Sequence, residues 1–139
     1  MFKNIMVAVD SSKNAEKAYM EAINFAKASG ADLTALSVVQ LPDYTATVGE
    51  VEEAKNEGMT FFSKILKKVV ELGESQDISI KTKILVGHPA ETIIKFAKQE
   101  KYDLIIMGHQ GASGIKGFLL GSVSGKVLEY AACSILIVK

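Results

Sequence analysis

LIIMGHQGASGIKGFLLGSVSGKV, residues 104–127, is the stretch on which the fold turns. It opens with Leu104-Ile105-Ile106-Met107, a short apolar run of the kind that forms a strand buried on both faces. Six of the chain's eleven glycines then fall between Gly108 and Gly125. Glycine loses more freedom on folding than any other residue, so such a cluster marks a backbone that bends unusually or is closely approached. Residues 122–131 follow with room for a helix. A strand, a glycine-rich loop and a helix in that order suggest one unit of a parallel α/β sheet.

The rest of the chain repeats the alternation. NIMVAV at residues 4–9 is a β-rich run ended by Asp10-Ser11-Ser12. Over residues 12–29, Ala15, Ala18, Tyr19, Ala22 and Ala26 share one helical face. Ser11 or Ser12 can cap that helix, and Gly30 can take the left-handed position after it. Residues 31–39 read as a second strand, and residues 40–50 as a long connector with turns at Pro42-Asp43 and Gly49. Residues 51–72 read as a long helix with Phe62, Ile65, Leu66, Val69 and Val70 inward, although Gly58 weakens its first turns. In residues 78–86 Ile78, Ile80, Thr82 and Ile84 alternate with polar neighbours, as in a strand near a sheet edge. Pro89 suits the first position of a third helix, with Ala90, Ile93, Ile94 and Ala97 on one face. SILIVK closes the chain as a fifth strand. The order βαβαβαβαβ predicts right-handed parallel crossovers with helices on both faces of one sheet.

Composition narrows the partners. At 139 residues the chain is the size of one domain. Sixteen basic and sixteen acidic side chains cancel, whereas a duplex-DNA binder needs an excess of Lys and Arg, so no nucleic acid partner is expected. The single cysteine, Cys133, precludes an intramolecular disulfide and a multi-thiolate zinc site. The opening MFKNIMVAVD lacks the apolar core of a signal peptide, and no apolar run is long enough to span a membrane. A soluble cytoplasmic protein, with no membrane partner, is the expectation.

Ligands of open parallel sheets bind beyond the carboxyl ends of the strands, where the strand order reverses. The glycine cluster begins at such an end and finishes at a helix amino terminus, where free N–H groups favour an anion. Glycines let backbone amides approach a phosphate with no Cβ in the way. Ser113, Ser122 and Ser124 add hydroxyls, and Lys116 and Lys126 add charge. The P-loop pattern fails here: Gly121 and Gly125 are separated by three residues, and Val127 stands where a hydroxyl is required. The dinucleotide fingerprint fails too, because the spacing is G-x-x-G-x-x-G after the fourth strand.

Gly108-x-x-Gly111, nine residues, then Gly121-Ser122 resembles the G-2x-G-9x-G-[S/T] signature of the nucleotide-binding branch of the universal stress protein family. KNIMVAVDSS, GHPAETIIKFAKQEKYDLIIMG and CSILIVK resemble further parts of that family, so the likeness covers the whole chain. It implies a single domain over residues 1–139. The implied fold is a three-layer α/β/α open sheet of five parallel strands in order 3-2-1-4-5, the adenine nucleotide alpha hydrolase-like arrangement. It implies ATP as the bound adenine nucleotide, with Gly108, His109, Gln110, Gly111, Gly114, Gly121, Ser122, Val123 and Ser124 around the ribose and phosphates. Asp10 would lie near the ribose or a phosphate-bound Mg²⁺, Ala8 beneath the base, and the Val38 backbone at the adenine edge. His109 and Gln110 depart from the Ser then His or Arg that many relatives carry between the first two glycines. Ala8 stands where some relatives have Pro.

The remaining residues read more plainly. Asp10 at a strand end also reads as a helix cap, His88 as an exposed helix start, and Cys133 as a core residue. No Ser-His-Asp order with a nucleophile elbow, paired carboxylates or metal cluster stands out, and the chain contains no Arg to serve as a finger. The expectation is a binding module that signals to a protein partner rather than a turnover enzyme. A slow Mg²⁺-dependent ATPase, a stress scaffold without nucleotide, and an AMP or cyclic-nucleotide binder stand as alternatives. Residues 134–138 form an apolar, proline-free strand that the resemblance puts at a sheet edge, where pairing with a second copy would make a twofold homodimer.

Overall fold

Strand β1 (Asn4–Ala8) is buried along its centre, and its neighbours on both sides explain why. In the computed structural model, which describes residues 1–42, 46–110 and 120–139, β1 pairs in parallel with β2 (Asp32–Val39) and with β4 (Leu104–Gly108). Val7 thus sits between Ala35 and Ile106. Two further strands, β3 (Ile80–Val86) and β5 (Ser134–Val138), complete a five-stranded parallel sheet of order β3-β2-β1-β4-β5. The helices between them are α1 (Lys13–Ser29), α2 (Val48–Ser75), α3 (Pro89–Gln99) and α4 (Ser122–Tyr130). Alternation of side chains sorts the core into two layers. Ile5, Val7, Leu33, Ala35, Leu104 and Ile106 pack against α1 and α2. Met6, Leu36, Ile105 and Met107 pack against α3 and α4. The sheet is covered on both faces, as the alternation of elements predicts.

The local signals act where the sequence puts them. The Ser12 hydroxyl caps α1 by accepting the Ala15 N–H at 3.0 Å, and Gly30 ends it in the left-handed region at φ 73°. Ala15, Ala18, Ala22 and Ala26 are buried as expected, but Tyr19 is only partly so, and Ile23 fills the rest of that face. The edge position of β3 is borne out: Lys81, Thr82 and Lys83 are all exposed.

Helix α2 differs from its sequence reading. It runs from Val48 rather than Val51 and ends at Ser75 rather than Leu72. Thr47 supplies the missing start, its hydroxyl accepting the Glu50 N–H at 3.1 Å. Gly58, a weak point by propensity, is a packing requirement: a Cβ there would lie 2.6 Å from Val39 Cγ1. At the other end the Ile78 N–H donates to the Gly73 carbonyl at 2.8 Å, so β3 begins at Ile80. Below the sheet, Asp103 accepts the N–H groups of Lys3 at 2.8 Å and Asn4 at 3.1 Å, closing the amino end of the β1–β4 pair.

Candidate functional site

The carboxyl end of that pair is open. Beyond β1 the chain continues to α1 on one face, and beyond β4 it leads to α4 on the other. Between them lies a cleft of about 200 Å³. This is the point of order reversal at which ligands of parallel sheets bind.

The first wall is the turn after β1. Val9 N–H donates to Leu36 O at 2.8 Å, and Val9 O accepts the Ser37 hydroxyl at 2.7 Å. Asp10 follows, and its Oδ1 accepts the Ser12 N–H at 2.8 Å. Ser12 rather than Asp10 therefore caps α1. Asp10 instead tightens the turn and contributes a carboxylate to the cleft wall.

The second wall comes from β4 and α4. A Cβ at Gly108 would lie 2.7 Å from the carbonyl carbon of Asn14 and 2.8 Å from its oxygen, so glycine lets the first turn of α1 close over the strand end. His109 works through its backbone: its N–H donates to Val138 O at 2.9 Å, and its carbonyl accepts from Gly121 N–H at 2.9 Å. The Ser124 hydroxyl, on a residue 3% exposed, donates to the same carbonyl at 2.8 Å. These bonds join the two ends of the glycine-rich segment. The Gly125 N–H donates to Gly121 O at 2.8 Å as the helix begins, so the amides of Ser122 and Val123 precede that bond at the cleft. Gly121 at the N-cap has no side chain of its own to cap this helix. Its first turn can accept an anion.

The cleft is therefore two-sided. Leu36 and Val38 of β2, with Pro89 and Ile93 of α3, make an apolar end. Ser122 and Val123 make an amide end, and Ala8 and Asp10 lie between them in strand order. An apolar slot suits a flat heterocycle, a carboxylate suits hydroxyl groups, and helix amides suit phosphate.

Of the residues expected from sequence, Ala8, Asp10, Val38, Gly108, Gln110, Ser122, Val123 and Ser124 line this cleft together. His109 and Gly121 are not among its lining residues and serve it through the backbone bonds already described. Gly111 and Gly114 lie outside the described residues. Lys126, considered as a source of charge for phosphate, has its Nζ 4.0 Å from Glu91 Oε1, with both side chains exposed. Pro89, Ile93, Ser12 and Gln40 also line the cleft and were missed as site residues. Their signal is positional: each stands at or just beyond the carboxyl end of a strand or at the start of the next helix.

Other candidates fall into place. His88 is exposed and makes no side-chain cap bond to α3. Cys133 is not a core residue but half-buried against the α3–α4 layer, and burial followed by the Asp103 charge pushes its thiol pKa up. Among the described residues no three His, Cys, Asp or Glu side chains cluster as a metal site. Nor is any described helix long and apolar enough to cross a membrane.

Comparison with known proteins agrees with this architecture. The sequence profile of the universal stress protein family matches residues 1–139. A universal stress protein of Methanocaldococcus jannaschii is 36% identical over 145 residues, covering 100% of this chain and 83% of the relative. Universal stress protein UspA from Lactobacillus plantarum superposes with a TM-score of 0.89 at 29% identity, covering 99% of this chain and 98% of the other. A universal stress protein solved in complex with cAMP superposes at 0.77 with 26% identity, over 99% and 97% of the two chains. Full-length similarity in sequence and in fold leads to one conclusion: the chain belongs to the universal stress protein family.

Proposed function

We propose that this protein is an ATP-binding stress-response module, acting as a homodimer whose nucleotide occupancy is read by a protein partner. The observation that carries the reading is the two-sided cleft at the β1–β4 switch point. In this reading the adenine enters between Val38, Pro89 and Ile93 over Ala8. Asp10 accepts from the ribose hydroxyls, and the amides of Ser122 and Val123 meet the phosphates, with Gly111 and Gly114 as further phosphate contacts. Mg²⁺ fits only as a phosphate-borne ion. Asp10 is the one carboxylate lining the cleft among the described residues, and Mg²⁺ commonly uses one or two carboxylates together with phosphate oxygens. The reading is of binding rather than turnover in a cytoplasmic setting.

Dimerisation is assigned to residues 134–138. Strand β5 is a sheet edge with no charged residue, and its Leu136 is 36% exposed. Antiparallel pairing of two such edges gives a closed twofold dimer. Sedimentation of a 15.0 kDa species alone at micromolar concentration would contradict it.

A second reading, with AMP or a cyclic nucleotide as the ligand, is favoured by the family member solved with cAMP. The two share the adenosine end of the cleft and differ at the amide end. Chromatography of the nucleotide released from denatured protein separates them. Near-stoichiometric ATP supports the first reading, and AMP or a cyclic nucleotide supports the second. An empty protein that binds no adenine nucleotide at millimolar concentration overturns both.

A further inference from the structure

Ser37 lies in the middle layer of the molecule, 1% exposed, with its hydroxyl donating to the Val9 carbonyl at 2.7 Å. A fully buried polar side chain requires a partner, and this one connects β2 to the chain just past the end of β1. The bond has two cleft residues immediately beside it. Val9 is followed by Asp10, and Ser37 is followed by Val38, and both of these line the cleft. Val9 N–H also donates to Leu36 O at 2.8 Å, so Val9 is held to β2 from both of its backbone polar groups. The turn that presents Asp10 therefore leaves the sheet from a fixed point.

We propose that Ser37 is a positioning residue: its hydroxyl sets the separation between the Asp10 turn and the Val38 end of β2, and so holds the cleft at the width its ligand needs. Removing the hydroxyl leaves a buried carbonyl without this donor and frees Val9 to shift. The shift passes to Asp10 and to the Ser12 amide that Asp10 holds. The amino end of β1, secured by Asp103, has no part in this coupling. The effect on ligand affinity rests on the nucleotide reading, whereas the effect on the turn does not.

The test is amide hydrogen exchange on Ser37→Ala and Ser37→Thr, paired with ATP titration by calorimetry. In Ser37→Ala the Ser12 amide should exchange about tenfold faster while the Asn4 amide keeps its rate. ATP should bind about tenfold more weakly, the fold-change of one lost hydrogen bond. Ser37→Thr keeps the hydroxyl and should restore both. Equal acceleration at Ser12 and Asn4 would mark a general loss of stability and overturn the proposal. So would an unchanged Ser12 rate, or a Ser37→Ala protein that binds ATP as tightly as the wild type. If Ser12 alone accelerates but the wild type binds no adenine nucleotide, the positioning role stands and the nucleotide reading fails.

Discussion

Two aspartates bracket the β1–β4 pair, and they are used in opposite ways. At the amino end the Asp103 carboxylate accepts the amides of Lys3 and Asn4, at 2.8 and 3.1 Å, across from the neighbouring strand. At the carboxyl end Asp10 bonds within its own turn, to the Ser12 amide two residues on, and lines a cleft. The strands are the same and the residue type is the same. What differs is where the chain goes next. At the amino end nothing separates the strands, and a carboxylate can bridge them. At the carboxyl end β1 continues to α1 and β4 leads to α4 on the opposite face, so the gap stays open. Topology decides that one aspartate serves the fold and the other lines an open cleft.

This contrast can be broken most severely at Gly108. Its replacement by Val drives side-chain atoms into the Asn14 backbone, which has no flexible end to yield. Thermal unfolding should show a loss of about 3 kcal/mol, and nucleotide binding should fall with it. Asp103→Ala should act on one end only. It removes two charge-assisted bonds and should cost about 2 kcal/mol in chemical denaturation, while the affinity of the folded protein for nucleotide stays unchanged.

Gly125→Ala is the mild counterpart of the Gly108 change. Among the described residues a Cβ there meets only Leu120 Cδ2 at 3.8 Å, an ordinary contact, within helix α4. It should raise stability by about 0.5–1 kcal/mol in the same denaturation assay. The smallest effect is at Cys133, whose thiol is pushed up by burial and by Asp103. Since the folded state holds its proton longer, stability from this group is present below the thiol's ordinary pKa and is lost as pH rises past it. Alkylation of the native thiol near that pH should therefore be slower than in the unfolded chain, and Asp103→Asn should speed it modestly.

Much of this fold is legible in the sequence. The alternation of strand and helix gave the layers, Ser12 and Gly30 marked the ends of α1, and the polar residues of β3 marked an edge. Glycine proved harder, because one residue type serves several ends. Gly58 reads as a helix weakness, yet it is where α2 meets Val39. Gly108 reads as part of a phosphate cradle, and its closest neighbour is the backbone of α1. Ser124 reads as a ligand hydroxyl, but its O–H donates to the His109 carbonyl. Spacing along a chain reports that a residue must be small or polar there. It does not report what lies opposite, which depends on the strand order. Pro89 and Ile93 were missed for the same reason: they reach the cleft only because α3 starts beside the carboxyl end of β2.

The most direct test is a calorimetric titration of ATP into three proteins: the wild type, Asp10→Asn and Asp103→Ala. Asparagine keeps an oxygen able to accept from Ser12, so the turn survives while the carboxylate is lost. The wild type and Asp103→Ala should bind with equal affinity, and Asp10→Asn at least about tenfold more weakly. Equal binding by all three would contradict this, as would a wild-type protein that takes up no adenine nucleotide.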